Sequence, residues 1–156
     1  MPYLVDGHNL VPKLGLSLAD PHDELQLVER LQIFCRMART QVEVYFDGAS
    51  PGQQQTVKLG SVVAHFVRIG RTADSALEER LNRLGRQARN WYVVSSDARL
   101  ANAARAAHAR PLTSEQFAVL VQKLEQRQQT DQKEEPGLSG EQVDEWLNLF
   151  NDHSKR

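Results

Sequence analysis

The sequence is poor in cysteine and in aromatic residues. Its 156 residues include one cysteine, and Phe, Trp and Tyr together make up 6% of the chain. One cysteine cannot form an internal disulfide or supply a cysteine-rich zinc site, so a disulfide-stabilised scaffold and a zinc finger are excluded. A reducing cytoplasm is the expected location. Cys35 lies beside Leu31 and Phe34 in an apolar stripe, where we interpret it as a core residue.

The sequence also lacks the patterns of membrane insertion and export. No apolar run approaches the roughly 20 residues that a membrane-spanning helix requires. Asp6 interrupts the apolar N-terminal segment and no basic region precedes it, which argues against a signal peptide. The hydrophobic content of 40% and charged content of 25% are typical of a globular domain. We therefore expect one domain with a short appendage and no membrane contact.

Charge is distributed unevenly along the chain. The net charge is −1, yet residues 58–110 carry ten Lys or Arg against four Asp or Glu. Residues 1–57 and 111–156 are both acidic. A basic patch that faces an acidic cluster favours a nucleic-acid partner. Solvated helix faces would have the same composition, so composition alone leaves both interpretations open.

Apolar periodicity predicts strands that alternate with helices. Strands are predicted at Tyr3–Val5, Val42–Phe46, Val62–Ile69 and Trp91–Ser95, with a short extended piece near Arg110–Leu112. Helices are predicted from about Pro21 to Arg39, from Thr72 to Leu84, after Asp97, and from Ser114 to about Gln126. The Gly- and Gln-rich segment Asp47–Ser61 is predicted to be a loop. This alternation predicts a mainly parallel central sheet of about four to five strands, with helices on both faces.

The C-terminal part has a different composition. We predict that residues 1–126 form the domain, that 127–140 form a polar linker, and that 141–156 form an amphipathic helix and tail. Ser139 and Gln142 fit a capping box at the start of that helix. The helix carries a Trp and a Phe on one side, which suits docking on the parent domain or in the groove of a partner.

Five acidic side chains fall where predicted strands end or helices begin. Asp6 and Asp47 follow the first two strands, Asp97 follows the fourth, Asp74 starts the helix after the third, and Glu78 lies one turn later. Parallel strands bring such positions to one edge of a sheet. Each acid alone also fits a turn, a cap or a solvated helix face. Together they repel one another, and a divalent cation with oxygen ligands, Mg²⁺ or Mn²⁺, would relieve that repulsion.

Four segments, in this order, resemble one known family. They are "VDGHNL", "VYFDG", "TADSALEERL" and "VVSSDARL". They are similar to the NYN domains of the PIN-like ribonuclease superfamily, in particular to the YacP-like bacterial branch, over about residues 2–126. The resemblance implies a three-layer α/β domain that cleaves single-stranded RNA with Mg²⁺ or Mn²⁺. Because that branch is described as ribosome-associated, it also implies mRNA on the ribosome as the substrate.

The resemblance also implies roles for individual residues. Asp6, Asp74 and Asp97 would be the catalytic metal ligands, with Asn9 beside them. Asp47 and Glu78 would lie in or next to the same metal shell. His8 departs from the family, which often has an aromatic residue there. It is open to two interpretations, a donor to phosphate or a partly exposed histidine in a turn.

Arginines in the basic middle are expected to bind RNA phosphates. These are Arg68, Arg71, Arg86, Arg89 and Arg99. The alternative function is a non-catalytic module that binds RNA or the ribosome, in which the acids are turn and cap residues. A phosphatase with Asp6 as nucleophile ranks lower because His8 occupies the place of the second acid. A DNA flap nuclease would require a helical insertion that this chain lacks, and the sequence does not indicate an oligomeric state.

Overall fold

The computed structural model describes residues 1–17, 22–49, 55–68 and 70–134. The predicted helix start at Pro21, the predicted strand end at Ile69 and the terminal helix predicted for 141–156 lie outside these residues. Within the described ranges, no helix is both long and apolar enough to span a bilayer.

Six strands form a single sheet in the described part of the chain. They are β1 (Tyr3–Asp6), β2 (Val42–Ala49), β3 (Thr56–Leu59), β4 (Val62–Arg68), β5 (Tyr92–Val94) and β6 (Arg110–Leu112). Their order across the sheet is β3-β4-β2-β1-β5-β6. Neighbouring strands are parallel, except that β3 is antiparallel to β4. The predicted α/β class with a mainly parallel sheet is confirmed.

Helices follow most of the parallel strands. In the described residues they are α1 (Gly7–Leu10), α2 (His22–Ala38), α3 (Ala73–Leu84), α4 (Ala98–Ala106) and α5 (Ser114–Glu134). Short 3-10 turns occupy Val11–Leu14 and Gly85–Asn90. Thr72, at the predicted start of the helix, caps α3, because its side-chain oxygen accepts a hydrogen bond from the Ser75 backbone at 3.1 Å. The single-turn helix α1 was not predicted, since one turn is too short to show a helical period.

The helices cover both faces of the sheet, which gives three layers. Val5 packs with Leu31 of α2 and Phe117 of α5 in one apolar cluster. Leu4, the preceding residue, packs with Leu77 of α3 and Leu100 of α4 in the other. Successive strand residues point to opposite faces, so adjacent residues of β1 belong to different cores. Both side chains are fully buried, and this places the end of β1 in the middle of the molecule.

Three predicted boundaries differ from the structure. The sheet has six strands because the segment predicted as loop, Asp47–Ser61, contains both the end of β2 and all of β3. Strand β3 lies at the sheet edge, and its four residues alternate exposed polar with half-buried apolar side chains. A run this short inside a Gly- and Gln-rich segment is too weak a signal to predict a strand. Helix α5 continues to Glu134, beyond the predicted end near Gln126. Its polar Gln, Glu and Lys residues form helix readily when they extend one that is already packed.

The chain divides into two compact units, Met1–Glu125 and Gln126–Arg156. The sheet and the helices that cover its two faces belong to the first. In the second, the described residues are helical up to Glu134. Residues 127–134, predicted as linker, are therefore helical. The rest of the linker and the terminal helix lie outside the described residues and stay predictions.

Candidate active site

Asp6 lies at the topological switch point of the sheet, where the strand order reverses direction. It is the last residue of β1, and β1 lies between β2 and β5. Chain connections leave this point toward opposite sides of the sheet, which creates a crevice beyond the carboxyl ends of the strands. Asp6 is 8% exposed. A carboxylate this buried, in a crevice of this kind, is a candidate for function rather than for solubility.

Asp74 and Asp47 meet at the start of α3. Asp74 lies in the first turn of that helix. Asp47 lies near the end of β2, where the pairing with β4 shifts register between Phe46 and Ala49. Its side chain accepts a hydrogen bond from the backbone N–H of Ala73. Asp47 thereby satisfies one of the free N–H groups at the helix start and joins β2 to α3.

Asp97 caps α4 at the end of the loop that follows β5. Its carboxylate accepts a hydrogen bond from the Arg99 backbone at 2.9 Å. The Asp97 backbone N–H donates to the hydroxyl of Ser95 at 3.1 Å. Both contacts fix the direction in which the Asp97 side chain leaves the loop. The predicted capping role and the predicted place in the acidic cluster are therefore compatible.

The carboxylates of Asp6, Asp74 and Asp97 are joined by hydrogen bonds, Asp6 to Asp74 and Asp74 to Asp97. Burial and the hydrogen bond to Asp97 raise the pKa of Asp74 to about 6, and the charges of Asp6 and Asp47 add to the rise. Burial also raises the pKa of Asp6, although hydrogen bonds with the Asn9 backbone and with Asp74 act to lower it. The four aspartates thus form one electrostatic cluster, in which Asp74 retains a proton most readily.

The cluster is not a preformed metal cage. Across the described residues, no group of three or more His, Cys, Asp or Glu side chains is arranged to hold a metal ion. The carboxyl groups interact in pairs, and with a pKa of about 6 Asp74 takes up a proton below that pH, which relieves the repulsion between them. A cation would have to replace that proton and draw the oxygen atoms to a common point. The donor set, which consists of carboxylate oxygens, suits a hard cation such as Mg²⁺.

Asn9 is tied into a network that was not predicted. Its side-chain oxygen accepts hydrogen bonds from the backbone of Ser96, at 2.9 Å, and from the hydroxyl of Ser114. Ser114 is fully buried at the start of α5. The Ser114 backbone N–H also donates to the Ser96 hydroxyl at 3.3 Å. Asn9 thus fixes the loop that carries Asp97 against α1, while its own backbone N–H donates to Asp6.

Glu78 has a cationic partner in this structure. Arg99 donates to both of its carboxylate oxygens, from Nε at 2.8 Å and from Nη2 at 3.1 Å. The charges of Asp74 and Asp97 also act on Arg99, so this guanidinium lies beside the cluster. Glu78, predicted as a metal ligand, and Arg99, predicted as an RNA contact, therefore pair with each other and bridge α3 and α4. Both roles stay predictions.

His8 has a partner that sequence reasoning missed. Its Nε2 lies 2.9 Å from a carboxylate oxygen of Glu24 on α2. This hydrogen bond raises the pKa of His8 although burial opposes the rise, and the charges of Asp47 and Asp6 act in the same direction. The side chains are 16 residues apart in sequence, and no local pattern signals that they meet. By its position, Glu24 is an acid in the first turn of α2, where the helix dipole favours a negative charge.

The predicted RNA-binding arginines fall into separate groups. Arg68 ends β4 and Arg71 precedes α3, so both lie at the carboxyl edge of the sheet with the aspartates. Arg86 and Arg89 lie in the 3-10 turn that leads into β5, and hence at the opposite edge. The 12 residues of α3 separate the two edges by about 18 Å. RNA in contact with the aspartates would have to extend over a helix length to reach this second pair.

Comparisons with known proteins agree on one relationship. The family model of the YacP-like NYN domain matches residues 3–151. The crystal structure of Rae1 (YacP) from Bacillus subtilis is similar, with a TM-score of 0.74 and 20% identity, over 99% of this chain and 91% of that one. A Trp-to-Leu mutant of the same protein gives a TM-score of 0.68 and 22% identity, over 91% and 89%. The comparison with curated proteins gave no match.

Proposed function

The chain belongs to the family of YacP-like NYN domains, which are PIN-like nucleases, and we propose on this premise that it is a metal-dependent endoribonuclease. Its substrate would be single-stranded RNA and its cofactor Mg²⁺ or Mn²⁺. The observation that carries the proposal is the convergence of Asp6, Asp74 and Asp97 at the switch point of the sheet, with a pKa of about 6 for Asp74.

The cluster favours a dication for an electrostatic reason. Four aspartates within interaction distance repel one another, and their charges add to the rise that burial causes in the pKa of Asp74. A divalent cation would neutralise that charge and make a shared proton unnecessary. Asp6, Asp74 and Asp97 would hold it, and Asp47, fixed to the start of α3, would support them.

A bound dication lowers the pKa of water and neutralises charge on the phosphate. The residues of the chain position the RNA around it. Asn9 holds the loop of Asp97 at a fixed distance from β1. Arg71 and Arg68 lie at the same edge and would bind the phosphates that flank the scissile bond. In-line attack by water on phosphorus would break the bond to the 3′ oxygen and leave a 5′-phosphate and a 3′-hydroxyl.

The proposal extends to the cellular setting. From the likeness to this family, we propose that the substrate is mRNA on the ribosome and that cleavage takes place in the cytoplasm. The oligomeric state is left open.

The test is cleavage of a labelled single-stranded RNA in Mn²⁺ or Mg²⁺. We expect Asp74→Asn and Asp97→Asn each to reduce kcat/KM on the order of 100-fold or more, since both would hold the group that activates water. EDTA should abolish cleavage. Glu29→Gln removes one exposed charge from α2 and serves as the matched control. Equal cleavage with EDTA and with all three variants would refute the metal-dependent mechanism.

A second candidate, a non-catalytic RNA-binding module, is favoured by one observation. The described residues contain no ready-made metal site. In that case the protein would bind the RNA with the same affinity in EDTA and in Mn²⁺, and would not cleave it under either condition. Binding and cleavage measured on one RNA therefore separate the two functions.

A further inference from the structure

A basic cleft lies beside α3, outside the acidic cluster. Its volume is about 470 Å³, within the range of ligand sites. Strands β2 and β4, the start of β3, and one side of α3 form its walls. The residues that line it include Gln55, His65, Arg68, Arg71, Glu79 and Arg83.

The cleft extends along the helix. Ala76, Glu79 and Arg83 all line it, and their spacing of three and four residues places them on one stripe of α3. Arg68 and Arg71 line it at the other end, where β4 finishes and α3 begins. The cleft therefore runs from the carboxyl edge of the sheet toward the last turn of α3, a path long enough for more than one nucleotide.

The lining is dominated by positive charge. Arg68, Arg71 and Arg83 face Glu79, the acidic member of the set. Arg68 points at the side-chain amide of Gln55. Arg83 lies close enough to Tyr45 to oppose the rise that burial causes in the pKa of that phenol. Guanidinium groups that retain exposed N–H donors are the preferred binders of phosphate.

An aromatic wall completes the cleft. The His65 ring stacks on Tyr45, with 4.5 Å between ring centroids and 19° between planes. Thr56 of β3 contacts the same ring at Nδ1, at 3.2 Å. The stack holds the His65 ring in place without any ligand. Charged groups beside a fixed ring are a common feature of single-strand binding surfaces.

One end of the cleft adjoins the aspartates. The backbone N–H of Arg71 donates to the Arg68 carbonyl at 3.1 Å and closes a turn. Thr72 then caps α3, and the next residue, Ala73, donates to Asp47. Asp74 follows directly. A polynucleotide whose scissile phosphate lies at Asp74 would enter the cleft with its neighbouring phosphates.

We propose that this cleft binds the backbone phosphates of single-stranded RNA on one side of the scissile bond, with Arg83 at its far end. The inference rests on the proposed nuclease function for its direction along the RNA. It adds Arg83 as a binding residue and places Arg68 and Arg71 in the same site. It leaves Arg86 and Arg89, at the opposite edge of the sheet, outside this path.

Glu79 regulates the affinity of the cleft. Its carboxylate lies 2.6 Å from Nη2 of Arg71, and the two side chains are 60% and 53% exposed. An exposed ion pair of this kind is weak, at about 0–1 kcal/mol, so a phosphate can take the place of the carboxylate. Removal of Glu79 would release Arg71 for RNA and remove a charge that repels phosphate.

The experiment measures binding of a labelled single-stranded RNA of roughly 12 nucleotides in EDTA, across a series of salt concentrations. Arg83→Gln should weaken binding about three- to tenfold and reduce the salt slope by about 0.7, the value for one lost phosphate contact. Arg68→Gln should act in the same direction. Glu79→Gln should tighten binding. Arg36→Gln, an exposed change on α2 across the sheet, is the control for loss of one positive charge.

Cleavage in Mn²⁺ supplies the second readout. Arg83→Gln should raise KM for the long RNA more than it lowers kcat, and should raise KM less for a dinucleotide, because a dinucleotide cannot reach the far end of the cleft. If Arg83→Gln and Arg68→Gln bind like Arg36→Gln, or if Glu79→Gln weakens binding, the cleft proposal is overturned while cleavage can still be present. If the variants behave as expected in EDTA and no RNA is cleaved, the cleft stands and the nuclease proposal fails.

Discussion

Gly7 shows at the scale of one residue why the site can form. A Cβ atom at this position would lie 2.4 Å from Cε1 of Phe46 and 2.9 Å from the carbonyl oxygen of Tyr45. Phe46 is fully buried and has no room to move aside. Glycine therefore lets the chain after Asp6 pass against β2 at a distance that no other residue allows. Close packing against β2 is therefore what requires glycine in the segment "VDGHNL".

Gly7→Ala should destabilise the protein by about 1–3 kcal/mol or more, because the added methyl overpacks a closed core. The measurement is the free energy of unfolding in urea. Gly15→Ala is the matched comparison, since Gly15 has a φ of 78° and open space around it. That change involves backbone strain alone, on the order of 1 kcal/mol. A smaller loss for Gly7→Ala than for Gly15→Ala would contradict the packing explanation.

Asn9 and Ser114 act as a positioning pair at the same scale. Ser114 donates its buried hydroxyl to the Asn9 side-chain oxygen, which also accepts from the Ser96 backbone. Ser114→Ala should cost about 1–3 kcal/mol of stability. It should also lower kcat more than it raises KM, because Asp97 would shift relative to Asp6.

A double-mutant cycle with Asn9→Ala checks this coupling. Both side chains act on the loop of Asp97 through one contact, so the double variant should lose little more activity than the worse single variant. Additive losses in kcat would show that the two residues act separately.

At the scale of elements, one partly buried carboxylate joins two strands and a helix. Glu43 on β2 accepts from Arg80 of α3 at 3.1 Å and contacts His65 of β4 at 3.3 Å. Arg80 also lies over the ring of Trp91, 5.5 Å from its centroid. The Glu43 side chain is 13% exposed. These contacts fix α3 over the sheet and hence fix the position of Asp74.

The pH dependence of stability should report on Glu43. Burial alone would raise its pKa, but the hydrogen bond with His65 and the charge of Arg80 outweigh burial and lower it below the ordinary 4.5. The stabilisation is therefore complete above pH 4.5 and is lost as the pH falls through the lowered folded-state pKa.

Glu43→Gln should cost roughly 1.5–3 kcal/mol at pH 7. The difference from wild type should shrink as the pH falls from 4.5 through the lowered folded-state pKa, below which Glu43 is itself neutral and similar to glutamine. Urea unfolding measured from pH 7 down to about pH 3 tests this. A difference that stays constant over the range would show that charge on Glu43 contributes nothing.

At the scale of the whole molecule, the sheet gathers negative charge at one edge. The aspartates lie at strand ends and helix starts that are far apart in sequence, and their repulsion destabilises the metal-free fold. A cation that binds only the folded state should therefore raise the melting temperature.

Mn²⁺ at about 100 times its Kd should add about 2.7 kcal/mol, which corresponds to a rise of roughly 5–10 °C for a chain of this size. Asp74→Asn should abolish most of the rise, whereas Glu29→Gln should preserve it. Differential scanning calorimetry with and without Mn²⁺ measures both. A rise of the same size in Asp74→Asn would place the cation elsewhere.

Local patterns predicted most of the elements, and the exceptions have physical causes. Helix α3 was predicted to begin at Thr72 because a cap and an apolar stripe both lie within a few residues of each other in sequence. Strand β3 was missed because it pairs antiparallel with β4 at an exposed edge. Its four residues alternate polar with apolar, but that run is too short to indicate a strand within a Gly- and Gln-rich segment.

By itself the sequence determined the α/β class, the family and the positions of the acids, since strand ends and helix starts carry local signals. Only the tertiary structure decided that Glu78 pairs with Arg99, that His8 pairs with Glu24, and that Ser114 holds Asn9. Each of these contacts joins side chains from separate elements. Their meeting depends on how helices pack across the sheet, and no periodicity along the chain records that geometry.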